Sequence, residues 1–136
     1  MNPALVYPMF AMFILSALVL ARMFATRTKA IKSGEVKISQ FKVYTQEQGP
    51  AKMLQASRHF SNLFEVPVLF YAVCILGIIF SAGTVFVVLA WIYVLARVIH
   101  ATIHLTSNKI LLRMSAYAFG WVALASMWIV LLIHLA

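Results

Sequence analysis

Three polar residues at the head of an apolar segment hold the first chemical information in this chain. Arg58, Asn62 and Glu65 stand at i, i+4 and i+7. On a helix that spacing places them on one face, within roughly 60°. The apolar segment they open runs on to about Phe80. Arginine offers a fork of donors suited to carboxylates, asparagine a neutral donor and acceptor, and glutamate an acceptor for an ammonium group. Ionisable groups in lipid cost about 2.5–3.5 kcal/mol each on insertion scales, so a segment that carries them needs a partner or a task for them.

Two further stretches repeat the pattern. Arg97, His100 and His104 stand at i, i+3 and i+7, again on one helical face. Arg113 and Tyr117 stand at i and i+4. Arg27 follows the first apolar run.

Composition says what kind of element must position these residues. The chain has 136 residues, of which 64% are hydrophobic and 10% charged. Its mean hydropathy is +0.96. A soluble domain carries about 25% charged residues, so this is the composition of an integral membrane protein. The formal charge of +8 does not argue for nucleic acid, because the basic residues collect between apolar runs, where they act as topology signals. Cys74 is the only cysteine, which excludes an internal disulfide. It lies in an apolar run and reads as a small core residue.

Four apolar runs predict four helices in a single all-α transmembrane domain, at about 5–24, 52–80, 85–105 and 113–135. Twenty residues at helical rise cover about 30 Å, one bilayer core. Residues 1–4 carry no basic side chain, so the first run reads as a retained helix rather than a signal peptide. Residues 25–51 form the long polar connection, with Lys29, Lys32, Lys37 and Lys42 among its basic residues and Glu35 and Glu47 as its acids. Ser33-Gly34 and Gly49-Pro50 read as turns, and Pro67 predicts a bend just past Glu65. The positive-inside rule places this loop and the loop around Lys109 in the cytoplasm and both termini outside. A bacterial inner membrane is the expected location.

With that topology the polar residues fall in one layer near the cytoplasmic surface. Arg27, Arg58, Arg97 and Arg113 supply four positive charges there, against Glu65 as the one acid. A structural ion-pair network tends towards balance; this inventory leaves room for an anionic ligand. A molecule with several carboxylates and one amine fits it, with Arg for the carboxylates, Glu65 for the ammonium and Asn62 as a neutral partner. Glutathione has that pattern and a thiol besides, although the spacing permits it without naming it. The same residues also fit a structural reading, in which they bond one another and the exposed arginines reach lipid phosphates.

The chain resembles the MAPEG family, the membrane-associated proteins of eicosanoid and glutathione metabolism. Arg58, Asn62 and Glu65, followed by Pro67, are similar to its second-helix signature. Arg97 and His100 match its third-helix pattern, and Arg113 and Tyr117 match the start of its fourth helix. The resemblance implies a four-helix bundle assembled as a homotrimer, with glutathione as co-substrate between protomers and no metal. It implies that Arg27, Arg58, Asn62, Glu65, His100 and His104 bind glutathione. Arg58 and Arg97 would frame Glu65, with Glu65–Arg97 as a structural ion pair. Arg113 would stabilise the thiolate, with Tyr117 beside it. Two positions depart from the usual pattern: His104 stands where tyrosine is common, and Ser61 where some members have arginine.

The expected function is a glutathione-dependent transferase or peroxidase acting on apolar electrophiles or lipid hydroperoxides. Its expected partners are further copies of itself, membrane lipids and a hydrophobic small molecule, with no nucleic acid. The alternative is a non-catalytic scaffold or lipid-binding protein on the same fold. Two other readings carry less weight: a haem protein using His59, His100, His104 or His134, and an exporter using Glu65 as proton carrier.

Overall fold

The computed structural model describes residues 2–42 and 48–136. Among the described residues the α-helices are α1 (Val6–Lys32), α2 (Ala51–Asn62), α3 (Val66–Ile79), α4 (Thr84–Leu105) and α5 (Ile110–Leu135). Short 3-10 turns cover Pro3–Leu5 and Ile38–Lys42, and no strand occurs among the described residues. Four segments are long and apolar enough to cross a membrane: Pro3–Lys32, Ala51–Ile79, Thr84–Leu105 and Ile110–Leu135. The architecture is therefore the all-α membrane four-helix bundle that the apolar runs predict, with α2 and α3 forming one span.

Helix α1 continues beyond residue 24 to Lys32, so part of the expected loop is helical. Nothing between Ala25 and Lys32 breaks a helix, and Ala30 is buried with Val36 and Met53 in a small second core. The helix stops where Ser33-Gly34 was expected to turn. Gly34 has φ +78°, and the Glu35 amide donates back to the Ala30 carbonyl at 3.1 Å. Only glycine takes that left-handed position without a steric penalty. Glu47 lies outside the described residues.

The second span is interrupted rather than bent. α2 ends at Asn62, and the chain passes through Leu63, Phe64 and Glu65 before α3 begins. Pro67 stands in the first turn of α3, where its missing N–H costs nothing. The same ring would clash with the Leu63 carbonyl in a continuous helix. The amides of Phe64 and Glu65 instead donate to Ser61 and Asn62 carbonyls at 3.0 and 3.3 Å, a tighter winding that closes α2.

α4 and α5 form the most extensive helix pair. On α5 the buried residues Gly120, Ala123, Leu124, Met127 and Leu131 recur every three or four positions, a single stripe facing the bundle. On α1 the stripe is narrower: Met12 and Val19 are buried, and Leu5, in the 3-10 turn just before the helix, continues their seven-residue spacing. Between the stripes Phe70 stacks on Tyr93, with centroids 4.4 Å apart and 12° between the rings. The opposite faces expose Phe10, Phe13, Leu18, Trp91, Leu95, Phe119 and Leu132, which suit lipid.

At the end of the bundle away from the basic residues, the termini tie down the α3–α4 turn. Asn2 Nδ2 donates to the Ala82 carbonyl at 2.6 Å, and His134 Nε2 donates to the Phe80 carbonyl at 2.9 Å.

Gly77 marks the closest approach at this end. A Cβ there would lie 2.6 Å from Phe86 Cε1 and 2.9 Å from Leu5 Cδ1, two fully buried side chains. Gly77→Ala is expected to destabilise the bundle by about 1–3 kcal/mol through overpacking. Gly83→Ala, whose Cβ meets nothing within 4 Å, should cost less. Helicity followed during titration from mild detergent into dodecyl sulfate would rank the two.

Candidate functional site

At the basic end, α2, α4 and α5 diverge around an open cleft of about 860 Å³. Gln55, Arg58, Asn62 and Glu65 form one wall, His100 and His104 the back, and Asn108, Arg113 and Tyr117 the other wall. Leu54, Met114 and Ala118 supply apolar surface. Polar residues from three separate stretches of sequence thus meet in one place.

Each wall has a local reason for its shape. The face at 58, 62 and 65 extends one turn back to Gln55, and Gln55 Nε2 donates to the His104 carbonyl. Arg22 Nη2 donates to the Leu105 carbonyl at 3.3 Å. These two contacts satisfy carbonyls that the end of α4 would otherwise leave open. Asn108 takes φ +48° and donates its amide to the Ile103 carbonyl at 2.7 Å, which turns the chain into α5. Its side-chain Oδ1 accepts from Arg113 Nη1 at 2.7 Å, so the turn also aims the Arg113 guanidinium.

Beneath the cleft lies Arg97, only 1% exposed. Arg97 Nη2 donates to Asn62 Oδ1 at 2.5 Å, and Asn62 Nδ2 donates to Glu65 Oε2 at 3.1 Å. The Tyr117 ring lies 5.7 Å from the Arg97 guanidinium carbon, a cation–π distance. The expected Glu65–Arg97 ion pair is therefore not direct: Asn62 stands between the two charges and links them. The break after Asn62 explains this, since it carries Glu65 off the α2 face and leaves its side chain exposed.

Arg58 does not frame Glu65. It is exposed, lines the cleft and has no hydrogen-bond or ion-pair partner among the described residues. Arg27 is not at the cleft of its own chain. Its Nη2 donates to Ser57 Oγ at 3.1 Å, and its guanidinium carbon lies 5.1 Å from the Phe41 ring centroid. Ser57 is buried, on a different face of α2 from the 58/62/65 stripe.

The histidines form a cluster behind the cleft. His59 is fully buried, and its Nδ1 lies 3.0 Å from His104 Nδ1 in a hydrogen bond that one ring donates to the other. His100 Nδ1 donates to the Arg113 carbonyl at 3.0 Å, and the His100 ring lies 5.6 Å from that of Tyr117.

Of the residues expected at the site, Arg58, Asn62, Glu65, His100, His104, Arg113 and Tyr117 line the cleft, Arg97 supports it from below, and Arg27 lies elsewhere. The sequence reading missed Gln55 and Asn108. Gln55 was within reach, because it continues the same helical stripe three residues before Arg58. Asn108 shows only as one polar residue in a short loop.

A membrane-spanning four-helix bundle with a polar cleft at its basic end is the class that this fold and site define. The chain matches the MAPEG family over residues 5–133, nearly its whole length, and belongs to that family. No curated protein matches it.

Removing the Asn62 side chain leaves the Arg97 guanidinium buried without its acceptor. Asn62→Ala is expected to cost about 1.5–3 kcal/mol, the range for a buried hydrogen bond to a charged group. Glu65→Gln keeps the Asn62 contact through its amide oxygen and should cost less. Unfolding of both variants in the same detergent system gives the comparison.

Proposed function

We propose that this protein is a membrane-embedded, glutathione-dependent transferase or peroxidase acting on apolar electrophiles or lipid hydroperoxides. The observation that carries the reading is the composition of the cleft. Exposed Arg58, the Arg113 guanidinium and the Glu65 carboxylate stand around one cavity in a bundle that otherwise faces lipid. Two guanidinium groups suit the carboxylates of glutathione, and Glu65 suits its ammonium group. Family membership supports glutathione as co-substrate.

The chemistry asks little of the protein. A thiol with pKa about 8.5 is mostly protonated at neutral pH, and a guanidinium beside it favours the thiolate. Arg113 is the residue for that role, aimed by Asn108 and adjacent to Tyr117 and Met114. The thiolate sulfur then forms a bond to an electrophilic carbon, whose leaving group or adjacent double bond takes the electron pair. With a hydroperoxide the sulfur takes the terminal oxygen and an alcohol departs. Met114 and Ala118 give an apolar reagent a surface beside the thiol.

Arg27 anchors glutathione only if protomers associate as a homotrimer, each lending Arg27 to a neighbouring cleft. In the bilayer the basic end faces the cytoplasm and both termini face out, in keeping with the positive-inside rule in a bacterial inner membrane.

One observation favours a second reading. Arg113 and Glu65 are already bonded within the chain, to Asn108 and Asn62. A cleft with two of its charges so satisfied also suits a phospholipid headgroup in a non-catalytic scaffold.

Titration of detergent-purified protein with glutathione at neutral pH, followed by thiolate absorbance, tests the first reading. A saturating signal is expected in the native protein. In Arg113→Ala the thiolate fraction should fall about tenfold, equivalent to about 1.4 kcal/mol. Absence of any signal, with phospholipid retained in the cleft, would favour the scaffold.

A further inference from the structure

His100 and His104 are one helical turn apart on α4, the i, i+4 spacing by which two imidazoles on one helix face reach a common metal ion. His59, on α2, closes on them from the neighbouring helix. The ring centroids lie 5.5 Å (59–100), 4.8 Å (59–104) and 5.7 Å (100–104) apart. One nitrogen from each ring lies within 4.8 Å of the others. Ligands at the zinc–imidazole distance of about 2.0–2.1 Å stand roughly 3.4 Å apart around a tetrahedral ion, so small ring rotations bring the three into place.

Two details point beyond a hydrogen-bonded packing cluster. His59 is fully buried, yet its Nε2 has no hydrogen-bond partner among the described residues. His100 donates Nδ1–H to the Arg113 carbonyl, which leaves its Nε2 as the lone-pair nitrogen. A backbone carbonyl holding the far nitrogen is the usual support for a metal-binding histidine. His100 and His104 also line the cleft, so a fourth coordination position would open into it.

We infer that His59, His100 and His104 form a three-imidazole site for a zinc-like transition-metal ion, with its fourth ligand drawn from the cleft. Three imidazoles select zinc and its neighbours over magnesium and calcium, which take oxygen ligands. None of the three ligands carries negative charge, and Arg58 and Arg113 line the same cleft. These positive surroundings favour an anion as the fourth ligand, and a thiolate is one that zinc binds well. The site does not depend on the proposed glutathione chemistry. It departs from the expectation of no metal because the fold brings together histidines that the sequence shows only as separate residues.

Tag-free, full-length protein in detergent micelles, stripped with chelator and dialysed against zinc, should retain about one ion per chain. Cobalt in place of zinc should give the visible bands of a four-coordinate ion, and added 2-mercaptoethanol should shift them. His104→Gln keeps a hydrogen-bonding side chain at the cleft wall, and with His59→Gln it should weaken binding at least about tenfold. His134→Ala, at the far end of the bundle, should leave zinc binding and the cobalt bands unchanged. Helicity of each variant separates lost binding from lost folding. Two results would overturn the inference: less than about a tenth of an equivalent of zinc in the native protein, or unchanged cobalt bands in a folded His104→Gln variant.

Discussion

Arg97 sits in α4 with 1% of its surface exposed, its Nη2 on Asn62 and the Tyr117 ring beside it. A guanidinium that far from water is tolerable only if its partners stay in place, because an uncompensated buried charge costs several kcal/mol. That requirement joins α2, α4 and α5 at one depth. Asn62 must end α2 beside Arg97, Tyr117 must lie beside it two turns into α5, and Glu65 must follow Asn62 closely enough to accept from its amide. Gly120 packs on the same knot from α5, where an added Cβ would lie 3.8 Å from Arg97 Cδ, an ordinary contact distance. The cleft is the space above this knot, so its polar lining follows from the constraint that holds the helices together.

The interruption of the second span belongs to the same logic. A continuous helix would carry Glu65 on round the α2 face and keep its backbone bonds internal. Pro67 denies it that continuation, and the tightened turn after Asn62 leaves the carboxylate at the mouth of the cleft. A strained or broken segment in a bundle of otherwise regular helices commonly marks a place where ligand geometry outweighs backbone regularity.

Much of this was legible in the residues. Four apolar runs define four spans, because lipid permits few other solutions for the backbone. Helical spacing puts Arg58 and Asn62 on one face of α2, and topology puts the other polar stretches at the same depth; Glu65 reaches the same cleft from beyond the end of that helix. What escaped has physical causes. The end of α1 was read from hydropathy, whereas the helix runs on through polar residues until Gly34 stops it. Pro67 announced a bend, but its extent depends on where Asn62 is needed. Arg58 and Arg97 look alike in sequence; one is exposed in the cleft wall and the other buried beneath the cleft, a difference set by how α2, α4 and α5 pack. The meeting of His59 with His100 and His104 depends on the register between α2 and α4, which no local pattern encodes.

The role proposed for the cleft is to bind the charged ends of a zwitterionic peptide. Its most direct test is calorimetric titration of the purified protein with a glutathione analogue whose thiol is replaced by a methyl group. Saturable binding in the native protein, weakened at least about tenfold by Arg58→Ala and by Glu65→Gln, is the predicted result, since each variant loses a charge-assisted contact. No saturable binding, or binding that both variants leave unchanged, would contradict the claim that this polar layer recognises the peptide.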